Sequence, residues 1–196
     1  MIELRAMGDT ALRATLPHGA DLAAVLDALR ALPGVTDAVV TESHALVRFS
    51  NALAHDDVRA AIEGASRRVT LAREHVVGVR YDGDDLADVA ASLGLTVSDV
   101  IARHAGRVYQ VLHLGFLPGF AYLGPLDESL VLPRRASPRA KVSAGSVAIA
   151  GSRTGIYPLS SPGGWHILGR ALDFKPFDAI DGARLGLGDR VRFEAR

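Results

Sequence analysis

Thirteen of the chain's twenty glycines lie beyond residue 100, and their density limits what that part of the sequence can fold into. Glycine weakens helix and strand interiors, and proline breaks helices outright. What survives between them is short. "YQVLHL", "SVAIAG" and "DRVRFEA" are apolar runs bounded by turn residues. Short strands with turn signals at this spacing predict a barrel or sandwich. One intervening loop stands out. In "HLGFLPGFAYLGPL", residues 113–126, Phe116, Phe120 and Tyr122 fall within seven residues of a chain that has 6 Phe, 4 Tyr and 1 Trp in all. Two Gly-Phe pairs flank Leu117-Pro118, so this is a shaped loop carrying apolar bulk.

The first 75 residues have a different texture. "IELRAM" and "ALRATL" alternate apolar and polar residues as half-buried strands do. "GADLAAVLDALRAL" sets Leu22, Val25, Leu26, Leu29 and Leu32 on one helical face before Pro33-Gly34. "VTDAVV" and "HALVRF" read as strands. "AHDDVRAAIEGA" reads as a second helix, with Val58, Ala61, Ile62 and Ala65 on one side, and "RRVTLAREHVVGVRY" as a further strand. Strand–helix–strand twice over predicts a ferredoxin-like split βαβ domain. We place its end at residue 78, within a window of 75–82, so that residues 1–78 and 79–196 form two domains of an α+β protein. Between them and the glycine-rich region, "DGDDLADVAASLGLTVSDVIARHAG" offers two short helices, with Asp84 or Asp85 as the first cap.

Composition excludes several functions. The 22 basic and 22 acidic side chains cancel, so the footprint of a general nucleic-acid binder is missing. With no cysteine there is no disulfide, thiol nucleophile or cysteine-ligated zinc. The seven histidines show no metal-ligand spacing, and we expect no metal. Glu3, Arg5 and Asp9 interrupt the apolar run a signal peptide needs, and no stretch is long enough to span a membrane. A cytoplasmic protein without membrane or nucleic-acid partners is the expectation.

Three motifs come close to familiar ones. The helix pair at 84–104 has helix-turn-helix spacing, but its second helix offers only Arg103 and His104 to phosphates and bases; a packed helical hairpin is expected instead. "GGWHILGRA" has the glycine spacing of a phosphate-binding loop, yet Arg170-Ala171 stands where lysine and a hydroxyl residue are needed. Neither "AGSVA" around Ser146 nor "AGSRTG" around Ser152 makes a nucleophile elbow. His113 and His166 are the candidate catalytic bases.

"LPRRASPRAKVSAGS" is a stronger signal. Arg134, Arg135, Arg139 and Lys141 lie within eight residues, uninterrupted by an acid, on a backbone stiffened by Pro133 and Pro138. Arginine's planar fork suits carboxylate and phosphate. Anion binding and a solvated basic loop stand side by side on spacing alone.

Taken together, "GFLPGFAYLGPL", "LPRRASPRAKVSAGSVAIAGSRTGIYPLSSPGGWHILGR" and the terminal "GDRVRF" resemble the family of the 5-oxoprolinase B subunits, also called allophanate hydrolase subunit 1 and KipI-like. The resemblance runs from Gly8 to Phe193 and is most specific between His113 and Arg170. Past that point it loosens, since the family continues "GRT" where this chain has Arg170-Ala171.

The resemblance implies a cyclophilin-like β-barrel behind the small α/β domain. A pocket at its mouth would have Phe116, Pro118, Phe120 and Trp165 as walls. Arg134, Arg135, Arg139, Ser146, Ser152 and Tyr157 would contact substrate or phosphate. It further implies ATP-dependent opening of 5-oxoproline to glutamate, in a hetero-oligomer with the A and C subunits of a 5-oxoprolinase, the ATP shared with one of them. This chain is expected to be inactive alone. Two other roles occur in the family: the carboxyltransferase module of a urea carboxylase system, and inhibition of a histidine kinase. No biotin attachment segment is present.

Overall fold

The computed structural model describes residues 2–50, 54–66 and 71–196. They form two compact units, Met1–Leu71 and Ala72–Arg196. None of the described helices is long and apolar enough to cross a membrane.

The first unit is a four-stranded antiparallel sheet with two helices. Its strands are β1 (Leu4–Ala6), β2 (Ala11–Thr15), β3 (Val35–Val40) and β4 (His44–Phe49), in the order β1-β2-β4-β3. Alternation does the folding here. Ala45, Val47 and Phe49 of β4 are buried and Leu46 and Arg48 are not, while Leu12 and Ala14 of β2 lie opposite Val47 and Ala45. Helix α1 (Leu22–Arg30) buries Leu22, Val25 and Leu29, and α2 (His55–Ala65) buries Val58, Ile62 and Ala65. Asp21 caps α1 by accepting from the Ala24 N–H at 2.9 Å.

One expectation fails. The strand following α2 does not return to this sheet. It runs as β5 (Glu74–Arg80) and joins the second unit, pairing in parallel with β15 (Arg190–Ala195) and antiparallel with β12 (His166–Ala171). The units therefore divide at Leu71/Ala72 rather than 78/79, and the sheet holds one strand–helix–strand unit, with β1 at its edge. The part of the expected strand at 67–70 lies outside the described residues.

The second unit is a closed seven-stranded barrel, as its glycine-punctuated strands predict. Its order is β10-β7-β6-β15-β5-β12-β9, with β6 Val108–Leu114, β7 Ala121–Gly124, β9 Ser146–Ala150 and β10 Arg153–Ile156. Two small ladders accompany it, β8 (Arg139–Val142) with β11 (Ser161–Gly163) and β13 (Phe177–Asp178) with β14 (Gly182–Ala183). All five residues of β9 are buried. Its odd residues, Val147 and Ile149, belong to the main core with Val77, Leu168 and Phe193. Its even residues, Ala148 and Ala150, belong to a second cluster with Phe120, Tyr157 and Trp165. The barrel wall thus separates a core from an aromatic layer on its opposite face.

Helices α3 (Leu86–Leu93) and α4 (Val97–Ala105) pack on the main core through Leu86, Val89 and Val100, the helical hairpin the sequence predicts. Thr96 and Asp99 form a reciprocal capping box at the start of α4. Arg103 donates to Ser129 at 2.6 Å. His104 is fully buried and stacks on Phe193 at 4.7 Å. Its tautomer follows from its partners. Thr154 Oγ1 donates to the Ala148 carbonyl at 3.1 Å, so it accepts from His104 Nε2–H at 2.8 Å, and Nδ1 accepts the Tyr81 hydroxyl at 2.7 Å.

Burial pushes His104 from the ordinary 6.5 down to about 3. Below pH 6.5 the unfolded chain therefore binds a proton that the folded chain refuses. The stabilisation is complete above pH 6.5 and is lost as pH falls toward 3, at about 1.4 kcal/mol per pH unit for this one proton. Urea unfolding across pH 7 to 4 should show a steeper loss of stability in the natural chain than in His104→Gln, which does not titrate. Parallel pH dependences would mean that His104 accepts a proton in the folded state.

Candidate functional site

Phe120 is the hub of the aromatic layer. It meets Phe116, Tyr157 and Trp165 edge-on at 5.4 Å each and Tyr122 at 4.9 Å. Aromatic pairs favour such edge-to-face contacts, worth about 0.5–1.5 kcal/mol beyond the area they bury. The close approach needs missing side chains. A Cβ on Gly155 would sit 2.9 Å from the Ala121 carbonyl, and one on Gly163 would overlap the Tyr157 hydroxyl. Phe116 takes a left-handed backbone, φ 74°, which costs a non-glycine residue on the order of 1 kcal/mol or more. The loop thereby holds an exposed phenyl ring at the rim of a pocket of about 220 Å³.

The pocket has one cation. Arg134 lines it beside Tyr122, Tyr157 and Trp165, and no carboxylate of the described residues is paired with it. Burial raises the phenol pKa of Tyr122 and Tyr157, and the Arg134 charge opposes that rise. At neutral pH both hydroxyls keep their protons and can donate. The arrangement offers a guanidinium, phenol O–H groups and apolar walls to a small anion with a ring or alkyl body.

Arg135 and Arg139, expected to share this role, do not. Both bind Asp85. Arg139 makes a bidentate pair with its two oxygens at 2.8 Å each, and Arg135 makes a short contact with Oδ1. The Ile167 N–H adds a third interaction at 2.7 Å. Asp85 is 1% exposed. Burial pushes its carboxyl up, but Arg139, the Ile167 amide and the nearby positive charges outweigh burial and hold it below the usual carboxylate range. The sequence offered Asp85 only as a helix cap, and its side chain makes no cap bond. The available signal was indirect, in that stiffly held arginines without a local acid require one from elsewhere in the chain.

Other expected site residues are scattered. His113 lies on β6 with its ring stacked on Tyr122 at 4.0 Å, at the edge of the aromatic layer. His166 Nε2 donates to the Pro133 carbonyl at 2.9 Å, so that nitrogen carries a proton and anchors the arginine segment. Pro118 is exposed at the loop tip, outside the pocket lining. Ser152 sits in the β9–β10 turn, its hydroxyl 2.6 Å from Arg153. Ser146 is at the other end of β9, about 13 Å along the strand from the turn at about 3.3 Å per strand residue, in a separate hollow. The pocket's Phe120, Tyr157 and Trp165 belong to the aromatic layer rather than to the main core.

Removing one partner from a buried ion pair costs about 3–5 kcal/mol when both are fully buried. Arg135 and Arg139 keep 31% and 22% side-chain exposure, which lowers that figure. Asp85→Ala should therefore destabilise the chain by about 2–3 kcal/mol in urea unfolding, while Arg134→Ala should change stability by less than about 0.5 kcal/mol. Equal losses would overturn the division of labour among the arginines.

Residues 2–181 match the family described as "Carboxyltransferase domain, subdomain C and D". The chain is similar to the 5-oxoprolinase B subunit of Escherichia coli O157:H7, 41% identical over 174 residues that cover 84% of this chain and 77% of that protein. The protein of the same name from Haemophilus influenzae is 53% identical over 114 residues, 57% of this chain and 53% of that one. The solved structure of TTHA0988 superposes with a TM-score of 0.84 at 35% identity over 99% of this chain, which spans 41% of that one. The Kluyveromyces lactis urea carboxylase shares the fold at 14% identity, with a TM-score of 0.68 over 100% of this chain and 22% of that one. With its aromatic loop, arginine segment and barrel in place, the chain belongs to the carboxyltransferase-domain subdomain C and D family, alongside the 5-oxoprolinase B subunits.

Proposed function

We propose that this chain is the B subunit of a cytoplasmic, ATP-dependent 5-oxoprolinase, opening 5-oxoproline to glutamate together with the A and C subunits. The observation that carries the reading is the aromatic pocket with Arg134 as its one cation. 5-Oxoproline is a small, flat ring bearing one carboxylate. A guanidinium fork pairs with that carboxylate, and phenyl and indole faces cover the ring. The relatives named as 5-oxoprolinase B subunits fit this chemistry.

A lactam amide is a poor electrophile. Phosphorylating its oxygen creates a group that water can displace, and positive groups stabilise the charge that develops. In the chain's own residues, Arg134 orients the acid, and Tyr122 and Tyr157 can donate hydrogen bonds to its oxygens. Phe116 and Phe120 exclude water, which strengthens each of these interactions. A pocket of about 220 Å³ with one cation suits the ring acid and is too small for a nucleoside triphosphate as well, so ATP is held elsewhere.

Purified alone, the chain should bind 5-oxoproline without turning over ATP, and activity should appear on adding the A and C subunits. In that assembly Arg134→Lys, which keeps the charge and loses the fork, should lower 5-oxoproline-dependent ATP hydrolysis tenfold or more, about 1.4 kcal/mol in the barrier. Full activity in the Arg134→Lys complex would remove the pocket from the reaction. Robust turnover by the single chain would remove the need for partners.

A further inference from the structure

Arg170 of β12 lies directly opposite Ser146 of β9 in the barrel ladder, so their side chains leave the sheet on the same face, with Cβ atoms about 5 Å apart. Ser146 is only 7% exposed, and its hydroxyl has no hydrogen-bond partner among the described residues. It lines a hollow of about 200 Å³ with Lys141, Ser143 and Arg170. A hydroxyl without a protein partner at the wall of a hollow is free to bond a ligand there.

The charges around the hollow leave a surplus. Asp82 on its rim is held by Arg80 Nε at 2.6 Å, and Asp84 lies 4.0 Å from Arg139, which is itself committed to Asp85. Lys141 and Arg170 have no carboxylate within salt-bridge distance among the described residues. Arg170 passes beside Gly145, which has φ 83° and whose absent Cβ would sit 3.6 Å from Arg170 Nε. Gly145 is fixed in turn by the Tyr157 carbonyl at 2.7 Å and the Ala171 N–H at 2.8 Å.

On the other side of Arg170 a groove of about 750 Å³ continues, within the size range of small-molecule sites. Its character differs from that of the hollow. Phe174 and Phe177 supply ring surface, and Arg184 lies over the Phe174 ring at 5.7 Å. Apart from Arg170, which also lines the hollow, Asp173, Asp178 and Asp181 stand against Lys175 and Arg184. Asp178 accepts from the Ile180 N–H at 2.8 Å, while Asp173 and Asp181 are exposed. A groove with no positive surplus of its own, lined by carboxylates and aromatic faces, suits an uncharged body bearing hydroxyls and a flat ring. Carboxylates hold ribose hydroxyls in this way.

We propose that hollow and groove form one ligand site for a nucleoside phosphate. Its phosphoryl oxygens lie against Lys141, Arg170 and the Ser146 hydroxyl, and its base and sugar lie along Phe174. The choice of ATP as probe rests on the function proposed above; the site itself rests on the geometry. Tyr157 links it to the aromatic pocket without lining it, since the Tyr157 ring lines that pocket while its carbonyl fixes Gly145.

The test is calorimetric titration of the full chain with ATP, inorganic phosphate and adenosine, and separately with 5-oxoproline. The expected result is saturable ATP binding with which phosphate competes. Arg170→Ala and Lys141→Ala, both at exposed positions, should weaken ATP and phosphate by tenfold or more. Phe174→Ala should weaken ATP and leave phosphate unchanged. Arg170→Ala and Lys141→Ala should melt like the natural chain, and Phe174→Ala should melt lower because its ring packs on the core. All three should bind 5-oxoproline normally. ATP affinity unchanged in Arg170→Ala and Lys141→Ala, or no ATP binding at all, overturns the site. Phosphate binding without ATP binding reduces it to a simple anion hollow and overturns the nucleotide assignment. Loss of 5-oxoproline binding with ATP binding intact would instead count against the function proposed above.

Discussion

A single buried carboxylate organises the functional face of the barrel. Desolvating Asp85 costs several kcal/mol in any folded state, and only a full set of donors makes that tolerable. Arg139, Arg135 and the Ile167 amide supply the set. The donors come from two stretches of chain, both remote from Asp85, so satisfying it fixes three things together: the entry to α3, the path of the arginine segment and the start of β12. The arginine segment is held a second time by its backbone, where Arg135 N–H donates to Gly164 at 2.9 Å and His166 donates to Pro133. Arg134 sits between these anchors with its own side chain uncommitted to any acid among the described residues. Its availability is therefore a consequence of its neighbours' engagement.

The other constraint is the two-sided burial of β9. A strand covered on both faces cannot alternate apolar with polar residues, and "SVAIA" does not. What alternates is size. Val147 and Ile149 fill the barrel core, whereas Ala148 and Ala150 leave room for the rings of Phe120, Tyr157 and Trp165. Replacing either alanine with a larger residue would push the aromatic layer outward. The small residues at these positions are part of the pocket although they touch no ligand, and Gly155 and Gly163 serve the same end by clearing space for rings.

How much of this could be read beforehand depended on the range of the interaction. The aromatic loop, the stiff arginine segment and the glycine-punctuated barrel strands are local patterns, and of the segment's arginines Arg134 lines the pocket beside the loop's rings. The assignment of β5 failed because alternation shows that a strand exists without naming its partner, and here the partner is 116 residues away, where Arg190 pairs with Glu74. The arginines were misjudged for a related reason. Spacing showed three forks on one rigid segment, but the acid that neutralises two of them lies 50 and 54 residues upstream. Ser146 and Ser152 look like neighbours in sequence and are separated by the full length of a strand, since Ser146 opens β9 and Ser152 lies in the turn at its far end.

Tyr157 draws these constraints into one argument about how the face works. Its ring belongs to the aromatic layer, its N–H donates to Ser146 and its carbonyl accepts from Gly145. A shift of that backbone would move the phenol in one pocket and the hydroxyl and glycine in the other at once. Coupling of an allosteric kind requires an element with two discrete arrangements, and nothing about Tyr157 offers a second one. Its ring is 1% exposed, and Gly163 leaves no slack beneath its hydroxyl. The relation between the two sides of this residue is one of fixed spacing. Fixed spacing is what a transfer between two bound groups requires, because reacting atoms must be held near contact in a set orientation before the chemistry begins.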